Sequence, residues 1–244
     1  MNLLIDMGNT RIKWAVDSNG QLIAGQPLLN RQLDRQKLVD LWVTVTKPQS
    51  IGISCVSANP LLALVQSVVL ELWMGSEVVF AKSEAHAFGV VNAYQHAEKL
   101  GVDRWLALIA VRRQHYAIPA CIVDCGTAIT VDLLAADGTH QGGFISPGLT
   151  LMKQALAQGT DALPFNETYY VVGPAKVTEA AIYAGTLSSA AGLIEHVLKM
   201  QTETVQLILT GGDAGLVAQQ LTIPLVIDAD LVLQGLAIVL GDRQ

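Results

Sequence analysis

Two short stretches of the chain bring together the residue types that handle phosphate. The first is Asp6-Met7-Gly8-Asn9-Thr10-Arg11-Ile12-Lys13, set between two apolar runs. Phosphoryl transfer needs donors around phosphate oxygens, a metal to offset their charge and a base for the acceptor's proton. Asp6 can hold a Mg²⁺ ion directly or through water, because Mg²⁺ takes few carboxylates and keeps several waters. Gly8 lets the backbone approach closely, Asn9 and Thr10 offer N–H and side-chain donors, and Lys13 can reach a β- or γ-oxygen as a point charge. Taken alone, the stretch reads slightly better as a tight hairpin whose Asp and Asn satisfy their own turn. A second stretch, with Asp124, Gly126, Thr127 and Thr130, repeats the pattern and favours the phosphate reading. Neither GxxxxGK followed by Ser or Thr nor GxGxxG occurs, so a P-loop and a dinucleotide fold have no support.

Three further groups carry chemistry. Leu100-Gly101-Val102-Asp103-Arg104 opens a predicted helix. Asp103 fits either a helix N-cap or a general base for a hydroxyl, and the two roles are compatible. Arg104 and the helix N–H groups can bind an anion. Residues 142–148, GGFISPG, read as a strand that leaves a close-approach glycine pair and ends in a turn before a helix. Thr210-Gly211-Gly212-Asp213 follows a short strand. Its glycines suit contact with an adenosine or a plain strand-to-helix turn with Asp213 as cap. Tyr94, His86, His96 and the four tryptophans have bland readings as packing or loop residues, and neither histidine has metal-ligand spacing.

The elements that must position these groups form a duplicated pattern. Residues 3–16 and 121–134 are each an apolar strand ending in Asp, then x-Gly and a small polar residue, then a second strand. A third strand is expected at 21–27 in the first copy and 142–146 in the second. Helical periodicity covers 34–45, 60–73 and 104–115, with strands at 50–55 and 77–80 between them. Helices are expected over 149–158, 177–200, 214–220 and 230–240, with strands at 205–209 and 225–227. The pattern predicts an α/β protein of two duplicated lobes, each a mixed sheet with flanking helices, with the nucleotide in the cleft between them. The lobes are expected at 1–116 and 117–244, joined near residues 116–119.

Composition narrows the partners. The chain has 244 residues, 51% hydrophobic and 15% charged, and a net charge of −6. So acidic a chain is a poor electrostatic match to nucleic acid or to an anionic membrane, and an anionic substrate must be held by local donors. The start has no signal-peptide pattern, and no apolar run approaches the ~20 residues of a membrane span. Three cysteines argue against a disulfide framework and for a reducing compartment. A cytoplasmic protein is expected, with Cys121 and Cys125 as core residues rather than metal ligands.

DMGNT, GVDR, DCGTAIT and GGFISPG, in this order and at these separations, resemble the type III pantothenate kinases of the acetate and sugar kinase, heat-shock cognate 70 and actin superfamily. The resemblance spans residues 6 to about 185 and implies two ribonuclease H-like lobes. It implies that Asp6, Met7, Gly8, Asn9, Thr10, Arg11, Ile12 and Lys13 form the first phosphate loop for ATP, with Thr127 a further ATP contact. Asp103 matches the family's proton acceptor, and Gly101, Val102, Asp103 and Arg104 its pantothenate-binding segment. Tyr94 stands where the family places an aromatic substrate contact. Asp124 matches a ligand of the monovalent cation, K⁺ or NH₄⁺, and Thr178 a substrate contact reaching across a homodimer interface. The residue before Thr178 is Val177, where the family pattern has Asn. The implied reaction is ATP plus pantothenate to ADP and 4′-phosphopantothenate, the first step of coenzyme A synthesis. The rivals are another kinase or phosphatase of the superfamily, and a nucleotide-binding regulator of the same fold without kinase activity.

Overall fold

The computed structural model describes residues 1–57 and 59–241. They divide into two compact units: Met1–His115 with the stretch from Asp230 onward, and Tyr116–Ala229.

The first unit begins with β1 (Asn2–Met7), β2 (Arg11–Ser18), β3 (Gln21–Ala24), β4 (Leu28–Leu29), α1 (Arg35–Trp42), β5 (Ser50–Cys55), α2 (Asn59–Leu72) and β6 (Glu77–Phe80). A two-stranded ribbon of β7 (His86–Ala87) and β8 (Val90–Val91) leads to α3 (Val102–Gln114). The second unit comprises β9 (Ala120–Cys125), β10 (Ala128–Leu134), β11 (His140–Pro147), α4 (Leu149–Gly159), α5 (Thr178–Lys199), β12 (Gln206–Thr210), α6 (Ala214–Ala218) and β13 (Leu225–Ile227). The chain then returns to the first unit with α7 (Leu231–Gly241).

The main sheets share one topology. Strand order is β3-β2-β1-β5-β6 in the first and β11-β10-β9-β12-β13 in the second. In each, three antiparallel strands are followed by two parallel ones. The central strands β1 and β9 carry the apolar runs LLI and CIV, as strands covered on both faces must.

Alternation along β1 assigns its faces. Leu3, Ile5 and Met7 join Trp42 of α1 and Val65, Val68 and Val69 of α2 in one core cluster. Leu4 and Asp6 therefore lie on the opposite face. On that face Leu4 pairs with Gly52 of β5, where an added Cβ would lie 2.2 Å from Leu240 Cδ1 of α7. α3 and α7 pack against each other and against this side of the sheet. In the second unit Cys121, Val123 and Cys125 join Leu149, Leu187 and Ala214 in the core, which leaves Asp124 on the other face.

Most helices follow the sequence pattern, with two adjustments. α1 starts after Asp34, whose carboxylate accepts from Lys37 N–H at 2.8 Å, and stops at Trp42, its last buried residue, rather than at 45. The expectation of a C-terminal lobe running to 244 is corrected: α7 belongs to the first unit. The reason is burial, because α7 is apolar around most of its circumference and needs cover on more than one side. α3 supplies part of that cover, with residues 104–111 all buried. Residues 242–244, at the end of the expected lobe, lie outside the described residues.

Gly235 of α7 meets Leu106 of α3 so closely that an added Cβ would sit 2.0 Å from the Leu106 carbonyl oxygen. Gly235→Ala must therefore push two buried helices apart. We expect it to lower unfolding free energy by about 1–3 kcal/mol, seen as a lower urea midpoint at unchanged m.

Candidate active site

The first phosphate-type turn begins where β1 ends. Asp6 is 8% exposed, and its Oδ1 accepts from Ser54 Oγ at 2.9 Å. Across the antiparallel ladder Asp6 stands opposite Lys13, so both side chains project from one face. Gly8 N–H closes the turn onto the Arg11 carbonyl at 3.1 Å, while Asn9 and Thr10 are exposed at its tip. Met7 and Ile12, on either side of the turn, are buried in the core and cannot face a ligand through their side chains.

The second unit repeats the layout. Asp124 stands between Thr130 of β10 and Thr210 of β12 in register. Gly126 N–H bonds to the Ala128 carbonyl at 3.0 Å, with Thr127 exposed at the tip. Two glycines from elsewhere press on this turn. A Cβ on Gly148 would lie 2.1 Å from the Gly126 oxygen. Gly211, at φ +93°, would place one 2.4 Å from Asp124 Oδ1 and 2.5 Å from the Cys125 oxygen. The close approach expected at Gly142-Gly143 thus falls at Gly148: Gly142 has φ +98° and open space around it. Asp213 is the N-cap of α6 without a side-chain cap bond, and its N–H donates to the Cys125 carbonyl at 3.0 Å. A cavity of about 330 Å³ lies among α4, α5 and the start of α6, with Thr150, Lys153, Glu167, Tyr183 and Asp213 in its wall.

The third group lies at the start of α3. Gly101, not Asp103, is the N-cap; Asp103 sits in the first turn and accepts from Arg104 N–H at 2.8 Å. The cap reading of Asp103 is therefore corrected, although the helix's positive end still favours its carboxylate. Val102 is the first residue of the helix. Arg104 is buried, donates from Nη1 to the Tyr94 hydroxyl at 2.8 Å, and holds its guanidinium 5.6 Å from the Tyr94 ring centre. Tyr94 and Arg104, ten residues apart, thus form one unit beside Asp103. α3 lies on the same face of the first sheet as Asp6. Thr178 is the exposed first residue of α5.

Sequence reasoning missed Asn30, whose side chain donates to the carbonyls of Gly8 at 2.8 Å and Asn9 at 3.0 Å. Twenty-two residues separate it from Gly8, and no local motif marks it.

The two units define a protein of the sugar-kinase and actin-like fold. A galactonokinase-type protein of Sinorhizobium meliloti superposes with a TM-score of 0.60 at 12% identity, covering 100% of this chain and 99% of its own. A Campylobacter jejuni protein assigned to the Baf family of transcriptional activators does so with 0.64 at 19% identity, covering 99% and 98%. At the level of sequence, a model of the type III pantothenate kinase family matches residues 2–200. A type III pantothenate kinase of Nitrosococcus oceani is 37% identical over 99% of this chain and 94% of its own. The chain belongs to the type III pantothenate kinase family.

Along β9, burial together with Asp132 pushes the Cys121 thiol up to about 12, and burial with Asp124 and Asp213 does the same to Cys125. Both stay protonated at neutral pH and serve as packing groups. Unfolded thiols ionise near 9, so this contribution to stability is complete below about pH 9 and is lost as pH rises toward 12. We expect Ellman's reagent at pH 8 to reach at most the half-buried Cys55 in the native protein, and all three thiols in denaturing urea.

Proposed function

We propose that the chain catalyses ATP-dependent phosphorylation of pantothenate, giving ADP and 4′-phosphopantothenate at the start of coenzyme A synthesis. Family membership supports the reaction, and one structural observation supports the assignment of roles. The Asp6 turn and the helix that carries Asp103 and Arg104 share one face of the first sheet.

In this reading residues 6–13 bind the phosphates of ATP, and Thr127 is a further ATP contact. The N–H groups and side chains of Asn9 and Thr10 donate to phosphate oxygens, and Lys13 adds a positive charge. The cavity that Asp213 helps to line has the size for the nucleoside end. Pantothenate lies along Gly101 to Arg104, with Arg104 binding its carboxylate and Tyr94 fixing the guanidinium plane. Asp103 accepts a hydrogen bond from the primary hydroxyl, aligns its oxygen on the γ-phosphorus and takes the proton as the P–O bond forms. In a loose transition state that proton leaves late, so placement matters more than basicity.

Among the described residues no cluster of three or more His, Cys, Asp or Glu could hold a metal alone. That suits Mg²⁺, which binds substrate phosphates and water through one or two carboxylates, and Asp6 is the carboxylate to hold it. Asp124 stands in register with Thr130 and Thr210, and a carboxylate with two hydroxyl neighbours suits K⁺ or NH₄⁺. When bound, these cations offset charge on the phosphate oxygens. Free thiols fit a cytoplasmic setting, and no described helix is long and apolar enough to cross a membrane.

Expected first is ADP release that requires pantothenate, Mg²⁺ and K⁺, and an Asp103→Asn variant that folds normally but loses about 10²–10⁴-fold in kcat. ATP binding without pantothenate-dependent turnover would overturn the substrate assignment, and an active variant the base.

We also propose a homodimer. In the second unit Leu151, Phe165, Tyr169, Val171 and Val177 are exposed, Val171 by 92%, around the segment that leads to Thr178. Sedimentation should give a dimer for the wild type and a monomer with little pantothenate turnover for Val171→Asp. A monomeric wild type would sink this reading.

A further inference from the structure

We infer that Asn30 is a positioning residue for ATP, holding the first phosphate turn with its N–H groups turned toward the nucleotide. The inference rests on the reading of residues 6–13 as the phosphate turn.

Three successive carbonyls of the turn are engaged by this one residue. Asn30 Nδ2 donates to Gly8 and Asn9, and the Asn30 N–H donates to the Thr10 carbonyl at 2.9 Å. The described residues contain no cis peptide bond, so in each peptide the carbonyl and the next N–H point in opposite directions. Drawing the carbonyls of residues 8, 9 and 10 toward Asn30 therefore sends the N–H groups of Asn9, Thr10 and Arg11 the other way. A row of parallel N–H groups is what an anionic oxygen needs; the bond to Thr10 continues the β2–β4 ladder, and the two side-chain bonds extend the same orientation to Gly8 and Asn9, beyond the ladder's reach.

Asn30 is itself held firmly. It follows β4, which pairs with β2 at Arg11 and Ile12, and its own carbonyl accepts from Leu33 N–H at 3.1 Å. Its Oδ1 is buried without a hydrogen-bond partner. Only an amide of this length places two donors on one nitrogen between two carbonyls while leaving the turn uncharged.

The test uses Asn30→Asp and Asn30→Leu, both close to Asn in shape and both lacking the donors, with Asp6→Asn as reference. Steady-state KM for ATP and for pantothenate would be measured on the intact protein, with circular dichroism as a check of folding. We expect KM for ATP to rise about tenfold or more in both Asn30 variants while KM for pantothenate stays within about twofold. The uncharged Leu variant separates loss of the donors from repulsion by a new carboxylate. KM for ATP within about twofold of wild type, both KM values rising together, or loss of the folded state in both variants would each overturn the inference. If Asp6→Asn loses ATP affinity while the Asn30 variants keep it, this inference alone fails. If Asp6→Asn also keeps it, the reading of residues 6–13 fails and takes this one with it.

Discussion

The structure turns on a carboxylate at the end of a buried central strand. Water is largely excluded there, and an unpaired charge would be costly. Asp6 accepts from the Ser54 hydroxyl of the parallel neighbour and stands in register with Lys13 of the antiparallel one. This requires a strand with one neighbour of each direction. The mixed sheet order provides it by turning the chain back immediately after the Asp, then reaching the other side through a helical crossover. The tight reversal accounts for Gly8, and in the second unit the same geometry accounts for Gly126, Gly148 and Gly211, which crowd Asp124 and its turn.

The two copies share a scaffold and have diverged at the same positions. Lys13 and Ser54 flank the first Asp; Thr130 and Thr210 flank the second. The first arrangement adds a positive charge, and the second sets two threonine hydroxyls in register with the Asp. In a chain of net charge −6, any anion has to be met by local donors, and the exposed tip of the first turn and the buried Arg104 are two places that offer them. Duplication followed by a few side-chain changes leaves one central Asp opposite a lysine and the other between two threonines.

Much of this was legible in the sequence, for identifiable reasons. Strands β1, β5, β6 and β9 are short apolar runs bounded by polar turns, and the Asp-x-Gly signal recurs at both copies. Helices α2 and α5 show strong periodicity and fell within a residue of their expected bounds. What stayed hidden depends on distant contacts. α7 gave a helical pattern, but nothing local says which unit an apolar helix will cover. Gly148 looks no different from Gly142, yet only one of them meets another backbone. Asn30 is an ordinary loop residue until β4 brings it against the turn. Asp103 resembled a cap because acidic residues favour both the cap and the first turn, and the helix began two residues earlier than its periodicity suggested.

The placement of α7 bears on how the protein is made. The strands of the first unit are synthesised early, but one face of their sheet and most of α3 stay uncovered until residues 231–241 emerge from the ribosome. The second unit is continuous in sequence and can fold before the first is finished. Closing the first unit across more than a hundred intervening residues is entropically easier once those residues have collapsed. Birth order and folding order are therefore reversed: the unit begun first is completed last. A nascent chain stalled before residue 231 exposes Leu106 and its neighbours on α3, a surface that chaperones and proteases would recognise.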